Sequence, residues 1–562
     1  MTNVGTDDDE ARIEALLWAM TLEEKATLLA GARMWTTPPV ERLGIPTFKV
    51  TDEPNGARGE GGLEGGEVSA ACFPPGIALA ATWDADVVER VGKALAEEAK
   101  TKGAHVLLGP TVNIHRSPLS GRNFECYSED PYLTSRLAVA YTLGLQREHI
   151  GAAVKHFVCN DSEFERNTIS SEVDERTMRE IYRPPFEAGV READTWTVMS
   201  AYNKNNGVYA GENELTLTSI LKDEWGFDGV VMSDWFGTNS TAPALNNGLD
   251  LEMPGPPNYR GPKLLDALAS GKASEEAVDE AARRMLRLIM RAGAFERPEL
   301  QPERAEDRPE HRDLICAAAA DGIVLLKNEG DRLPLKVEEL SSLAIIGPNA
   351  RTAQIMGGGS AQVNAHYKVS PYEGVAAAVG DRVALGYEIG CTNHKLLPGL
   401  EASLTRTPAG DEPGFAVEYF SNRSLAGEAV HRSVVVGSQQ AWFGHIAPGV
   451  EQDDVSARLT TIFTPAESGE HTLGIASIGL SRLFLDGREV IDNWTRQTQG
   501  DTYFGFGSTE VTASVEMNAG QSYELTLEYS SEGASLLAGV KLELLPPVAA
   551  DSIERAAKLA SE

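Results

Sequence analysis

Apolar and polar positions alternate with two different periods along this chain, and the period changes near residue 412. Over residues 10–300, short apolar runs at 105–108, 152–158, 197–201 and 229–233 each end on polar or charged residues. That is the pattern of strands buried on both faces. Helical stretches lie between them. Thr21-Leu-Glu-Glu24 is a capping box that opens a helix closing at Gly31. A second helix is predicted over 84–102, with Val87, Val88, Val91, Ala94 and Leu95 on one face and Gly103 as its stop. Further helical stretches are 133–148, 175–192 (with Pro184-Pro185 inside it) and 218–225. Alternating βα units over about 290 residues predict a (β/α)8, TIM-like barrel over 1–295.

Residues 296–312 are Pro-rich and highly charged, as expected of a linker. A second α/β segment is predicted over 313–411: an Ala-rich helix, then Ile323-Val-Leu-Leu-Lys-Asn328, a strand at Leu343-Ala-Ile-Ile-Gly-Pro348 and a loop at Gly357-Gly-Gly-Ser360. That loop is a weak phosphate signal, because no Gly-Lys-Ser/Thr follows it. From 412 to 546 the pattern turns to short strands of period two, such as Phe415-Ala-Val-Glu-Tyr-Phe420 and Tyr523-Glu-Leu-Thr-Leu-Glu-Tyr529. This predicts an all-β sandwich. Helical character returns over 551–562, so the sandwich reads as an insertion into the second α/β domain, of which 547–562 is a short return.

Composition narrows the partners. The 562 residues carry 83 acidic and 50 basic side chains, a formal net charge of −33. Phosphate-rich partners are repelled by such a surface, so neither nucleic acid nor an anionic membrane is expected. The amino terminus shows no basic or apolar signal region, and no run is long and apolar enough for a transmembrane helix. The five cysteines are scattered without a Cys-x-x-Cys pair, which argues against structural zinc and a disulfide framework. The expectation is a reduced cytoplasmic protein with no cofactor or metal.

The candidate chemistry lies where apolar runs end. Gly229-Val-Val-Met-Ser-Asp-Trp235 places Asp234 at the carboxyl end of a buried strand, beside an indole. Ligands bind and catalytic groups project at that end of α/β strands. For an isolated Asp, a helix cap is the alternative. Here other polar clusters follow the same rule: Thr51-Asp-Glu-Pro-Asn-Gly-Ala-Arg58, Ser117-Pro-Leu-Ser-Gly-Arg-Asn-Phe-Glu125, Lys155-His156, Asp161-Ser-Glu-Phe-Glu-Arg-Asn167 and Met199-Ser-Ala-Tyr-Asn203. Simpler readings exist for several members. Asp52 before Pro54-Asn55-Gly56 can initiate a turn. His156 can be a satisfied interior histidine. Arg166 can pair with Glu163 or Glu165, and Tyr202 can be core.

Taken in order, these clusters resemble glycoside hydrolase family 3, in its branch of bacterial and fungal β-glucosidases. The insert, with Tyr419-Phe420, Phe463, Phe484-Leu-Asp-Gly487 and Trp494, is similar to a protective-antigen-type module carried by some members. The resemblance implies a retaining hydrolase that acts on terminal β-D-glucosyl residues, with Asp234 as nucleophile. It implies sugar contacts from Asp52, Arg58, Arg122, Lys155, His156, Arg166 and Tyr202, with Met199 and Trp235 as an apolar wall. The family's acid/base glutamate, in a Trp-x-Ser-Glu-Gly-type segment beyond the insert, has no counterpart in 1–562. The loop Lys155-His-Phe-Val-Cys-Asn160 also lacks the acid/base histidine of the family's N-acetylhexosaminidases. Glu125 and Glu165 are candidate stand-ins. The chain is therefore expected to lack a carboxy-terminal portion, supplied by a complementary chain if at all, and a homo-oligomer is a further possibility. The alternative function is a non-catalytic sugar binder. Metal is set aside, because Asp486-Gly487 offers a single carboxylate where calcium wants several.

Overall fold

The computed structural model describes residues 7–52, 54–60, 68–410, 412–442, 445–534 and 537–562. Met1–Thr6 and Glu53 of the Thr51–Arg58 cluster lie outside that set. The chain divides into two compact units, 1–333 with 354–368 and 334–353 with 369–562.

The first unit is built on five parallel strands in sequence order: Val50–Asp52, Val106–Leu108, Gly151–Phe157, Thr197–Ser200 and Val230–Ser233. Their side chains alternate between two cores. Leu107, Ala152, Val154, Val198 and Val231 join a cluster with the helices Ala85–Thr101, Pro131–Gln146 and Pro184–Ala193. Val106, Leu108, Ala153, Met199, Val230 and Met232 join a second cluster with Leu28, Trp35 and the helix Glu275–Arg291. Burial on both faces is why these strands read as unbroken apolar runs.

The expected eight-fold barrel is met only in part. Beyond the five strands, the circuit continues through single parallel bridges, Met232 to Leu251 and Ala30 to Glu252, and an antiparallel bridge, Thr36 to Lys49. Leu251 and Glu252 run directly into Pro254 and Pro256, which cannot donate to a ladder. Residues 7–49 spend their length on helices Asp7–Ala19 and Leu22–Leu28 instead of a βα unit.

Local signals fared unevenly. The capping box is formed, Thr21 Oγ1 accepting from Glu24 N and Glu24 Oε2 from Thr21 N, but its helix ends at Leu28 and not at Gly31. The stretch expected as one helix over 175–192 is broken by its prolines. A π-type turn over Met178–Tyr182 precedes a new helix that starts on Pro184, where the missing N–H costs nothing. The expected linker is not a free tether: Glu303 pairs with Lys49 Nζ at 2.7 Å and Arg304 O accepts from Lys102 Nζ at 3.0 Å. The Ala-rich helix starts at Pro309 and belongs to the first unit, its Leu314 and Ala318 joining the core beside Val88. After it, Ile323, Val324, Leu325 and Leu326 form no strand and are 79, 62, 58 and 92% exposed.

In the second unit, parallel strands Ser342–Ile346 and Ala384–Glu388 pair, with helix Pro371–Val379 between them in sequence. The closing helix Ser552–Ser561 returns to the strand Ala384–Glu388, with Ser552 Oγ donating to Gly390 O at 2.7 Å and Arg555 pairing with Glu388. The strands between form a sandwich of a seven-stranded and a four-stranded sheet around Phe415, Leu459, Leu473, Leu483, Leu527 and Leu542. Its pairing begins ahead of the expected boundary at 412, with an antiparallel bridge of Gly399 to Glu543 and then Thr405–Arg406.

Candidate active site

Groups from or beyond the second, third and fourth of the parallel strands gather around Asp234, and the chain's alternation explains how it is placed. Val231 and Ser233 face one side of the last strand, Val230 and Met232 the other, and Asp234 is the first residue past its end. Asp234 is 8% exposed. Its Oδ1 accepts from Trp235 N at 2.7 Å, and among the described residues its buried Oδ2 has no hydrogen-bond donor. His156 Nε2 lies 3.5 Å from that oxygen. Burial lifts the Asp234 pKa above the usual carboxylate range, against the opposing charges of Arg122, Arg166 and Lys155.

His156 is held in one tautomer by a single asparagine. Asn113 Nδ2 donates to His156 O at 3.0 Å, and Asn113 Oδ1 accepts from His156 N at 2.9 Å. With the amide orientation fixed by backbone, His156 Nδ1, 3.2 Å from that same Oδ1, must carry the proton. Burial and the charges of Arg122, Lys155 and Arg166 keep the ring pKa well below its ordinary value, so the imidazole is neutral. Its Nε2 lone pair is thereby presented beside Asp234, an acceptor for a ligand hydroxyl.

Lys155 Nζ donates to Asp52 Oδ1 at 2.8 Å, tying the third strand to the end of the first. Arg122 pairs with Glu125 across a tight turn, and Glu125 Oε2 accepts from Thr111 Oγ1 at 2.9 Å. Burial opposes the Glu125 charge, but Arg122's charge and hydrogen bond outweigh it and hold this carboxyl below the usual range. Arg166 donates to Glu163 at 2.6 Å and lies 4.7 Å over the Tyr202 ring. Arg166 is thus paired with Glu163 and stands beside Tyr202. Tyr202 Oη donates to Trp235 O at 2.7 Å, and burial with Asp234's charge pushes this phenol well above its ordinary range. Met199 is buried on the neighbouring strand. Trp235 Nε1 donates to Met34 O at 3.0 Å. Glu165 stands on the exposed side of its loop, at φ +48°.

Two contributors escaped the sequence reading. Trp35 packs on Trp235 with ring centroids 5.2 Å apart and receives the Arg58 guanidinium 5.6 Å from its centroid. Ser360 O accepts from Arg58 Nη1 at 3.3 Å, which brings the Gly357–Ser360 loop to Arg58. An aromatic isolated in a coil segment, and a glycine run about three hundred positions away, carry no periodic signal.

Residues 16–288 match the model of the glycosyl hydrolase family 3 N terminal domain, and residues 411–555 match that of the PA14 domain. The chain is 51% identical over 524 residues to a β-glucosidase of Rhizobium radiobacter, covering 93% of this chain and 62% of that protein. It is 43% identical over 538 residues to β-glucosidase B of Emericella nidulans, covering 94% and 62%. The chain thus spans 62% of the length of these curated relatives. Among solved structures, a β-glucosidase from Kluyveromyces marxianus matches with a TM-score of 0.91 at 38% identity, covering 98% of this chain and 67% of that one. The same enzyme in complex with glucose matches with a TM-score of 0.90.

Proposed function

The chain belongs to glycosyl hydrolase family 3, and on that premise we propose that it encodes the nucleophile and sugar pocket of a retaining β-glucosidase. The observation that carries the reading is Asp234 itself: a carboxylate on a rigid strand end, with one oxygen free of hydrogen bonds among the described residues and the charges of Arg122, Arg166 and Lys155 acting on it. Its Oδ2 attacks the anomeric carbon while the bond to the leaving oxygen breaks, giving a glycosyl ester that water then opens. Neutral His156, Lys155, Asp52, Arg58, Arg122, Arg166 and Tyr202 surround the sugar hydroxyls, and Met199 and Trp235 wall the ring. The relatives are named as β-glucosidases and one binds glucose, which favours an enzyme over the non-catalytic sugar binder. We read the open sheet, carried on by bridges at Leu251 and Ala30, as a reduced form of the family barrel.

The proton donor is proposed to come from polypeptide outside these 562 residues. Glu125, pulled down by Arg122, holds no proton at neutral pH, and Glu165 sits on an exposed loop. The exposed apolar run Ile323–Leu326 is a surface that such a segment would cover. The test is cleavage of two substrates by the chain as it stands. A dinitrophenyl β-glucoside, whose leaving group needs no proton, should react and lose all activity in Asp234→Ala. Methyl β-glucoside should lag by a further 10²–10⁴-fold or so, the usual worth of a general acid. Added azide should speed release of the glycosyl-enzyme. Equal efficiency on both substrates without azide rescue means that an acid lies within 1–562.

A further inference from the structure

The loop Gly357–Ser360 belongs to the first unit, within its segment 354–368. Gly357 does not have a positive φ, unlike Gly358 at +79° and Gly359 at +70°. Its lack of a side chain is therefore a matter of space and not of backbone conformation. A Cβ placed on Gly357 would sit 2.7 Å from Phe124 Cγ, and closer still to Cδ1 and Cε1, so the phenyl ring lies directly on the loop backbone. Phe124 is inside the turn that pairs Arg122 with Glu125, a turn closed by Glu125 N donating to Arg122 O at 3.2 Å. The turn cannot easily slide away. Ile77 N donates to Phe124 O at 3.2 Å, and the Glu125 carbonyl packs on Gly76 with no room for a methyl.

Three residues on, the same loop meets the opposite wall. Ser360 O accepts from Arg58 Nη1, and Arg58 in turn covers Trp35. Farther along, Asn364 O accepts from Ala70 N at 2.9 Å, Ala70 O from His366 N at 3.1 Å, and Ser69 Oγ bonds His366 Nδ1 at 2.9 Å. The loop is thus anchored beyond its contacts and touches two pocket walls that come from different strand ends.

We propose that Gly357 is a positioning residue for sugar binding: the bare backbone seats Phe124, and the seated ring fixes the Arg122–Glu125 pair opposite Arg58. The inference rests on reading the Asp234 pocket as the glucosyl site. A side chain at 357 displaces the ring, turns the 122–125 backbone and moves Arg122, without removing any group that touches sugar.

The experiment compares wild type with Gly357→Val, Phe124→Ala and the double variant Gly357→Val/Phe124→Ala. Glucose affinity is read by calorimetry, amide exchange over 117–125 by mass spectrometry, and melting by fluorescence. Gly357→Val should bind glucose roughly tenfold more weakly, the scale of an overpacked contact. Exchange over 117–125 should rise while the melting temperature holds. Removing the ring should restore both readouts in the double variant, to the level of Phe124→Ala alone. Wild-type affinity and exchange in Gly357→Val overturn the proposal, as do losses in the double variant that multiply those of the two singles. If Gly357→Val does not fold, Gly357→Ala carries the same comparison with a single methyl. If wild type binds no glucose yet exchange over 117–125 still rises and recovers, the glucosyl reading has failed and the positioning link stands.

Discussion

Replacing Glu125 by Gln separates a structural ion-pair partner from a general acid. The Glu125 and Arg122 side chains are 2% and 13% exposed, so solvent screens their pairing little. Gln keeps an acceptor for Thr111 but leaves the Arg122 guanidinium without its nearest counter-charge. Breaking a buried pair from one side costs about 3–5 kcal/mol. Arg122 still feels Glu163 and Asp234, so the low end applies, about 3 kcal/mol. For a unit of this size that is a fall of roughly 4 °C in melting temperature, measured by scanning calorimetry at neutral pH. The acid side gives a second readout. A carboxyl with a depressed folded pKa contributes stability above its unfolded pKa and loses it as pH falls through the folded one. Glu125→Gln should therefore flatten the acid limb of the stability profile. On a dinitrophenyl β-glucoside the variant should show raised KM and the same azide acceleration as wild type, because the displaced group is Arg122 and not a proton donor. An unchanged melting temperature together with azide acceleration seen in the variant but not in wild type would refute the pairing argument and make Glu125 the acid.

Two more outcomes follow from other elements. His311 bonds Glu98 at 2.8 Å and Glu97 at 3.2 Å; burial disfavours its charge, but the Glu98 bond and both carboxylates outweigh that and raise its pKa. A raised folded pKa gives stability that is present below the ordinary histidine range and lost as pH climbs through the folded value. His311→Gln should cost about 1–2 kcal/mol at pH below that range and nothing well above it, read from melting at a series of pH values. For the sandwich, residues 396–547 expressed alone should melt cooperatively. The shorter span 412–546 should melt several degrees lower, because it drops the pairing of Thr405–Arg406 with Phe463 and Ile462 and the buried Leu400, worth about 1.5–3 kcal/mol. Equal melting of the two spans would mean that residues 396–411 add nothing to the module.

Strand ends were legible because a both-faces-buried strand leaves one signature, an apolar run stopped by a polar residue, and Lys155, Tyr202 and Asp234 all follow such runs. The helix over 85–101 was legible for the complementary reason: Asp84 caps it through bonds to Asp86 N and Val87 N, and one face is continuously apolar. What stayed hidden is contact between distant positions. The Ser360 carbonyl on Arg58 joins residues 302 apart, and Glu303 on Lys49 joins residues 254 apart. A charged, Pro-rich stretch looks like a tether until its partner is known. The barrel was overcounted because alternation of elements predicts the kind of sheet but not its closure, and prolines 254 and 256 stop the strand at Leu251–Glu252. The broken helix over 175–193 carried its own warning in Pro184-Pro185, which local rules place at a helix start.

The central claim is that Asp234 Oδ2 makes the covalent bond to sugar. Incubating the chain with dinitrophenyl 2-deoxy-2-fluoro-β-glucoside, which forms the glycosyl-enzyme but resists its hydrolysis, tests this directly by peptide mass spectrometry. One fluoroglucosyl group per chain is expected, on the peptide containing Ser233-Asp234-Trp235, and no label in Asp234→Asn. A label on another carboxylate, or a full burst of dinitrophenol from Asp234→Asn, would contradict it.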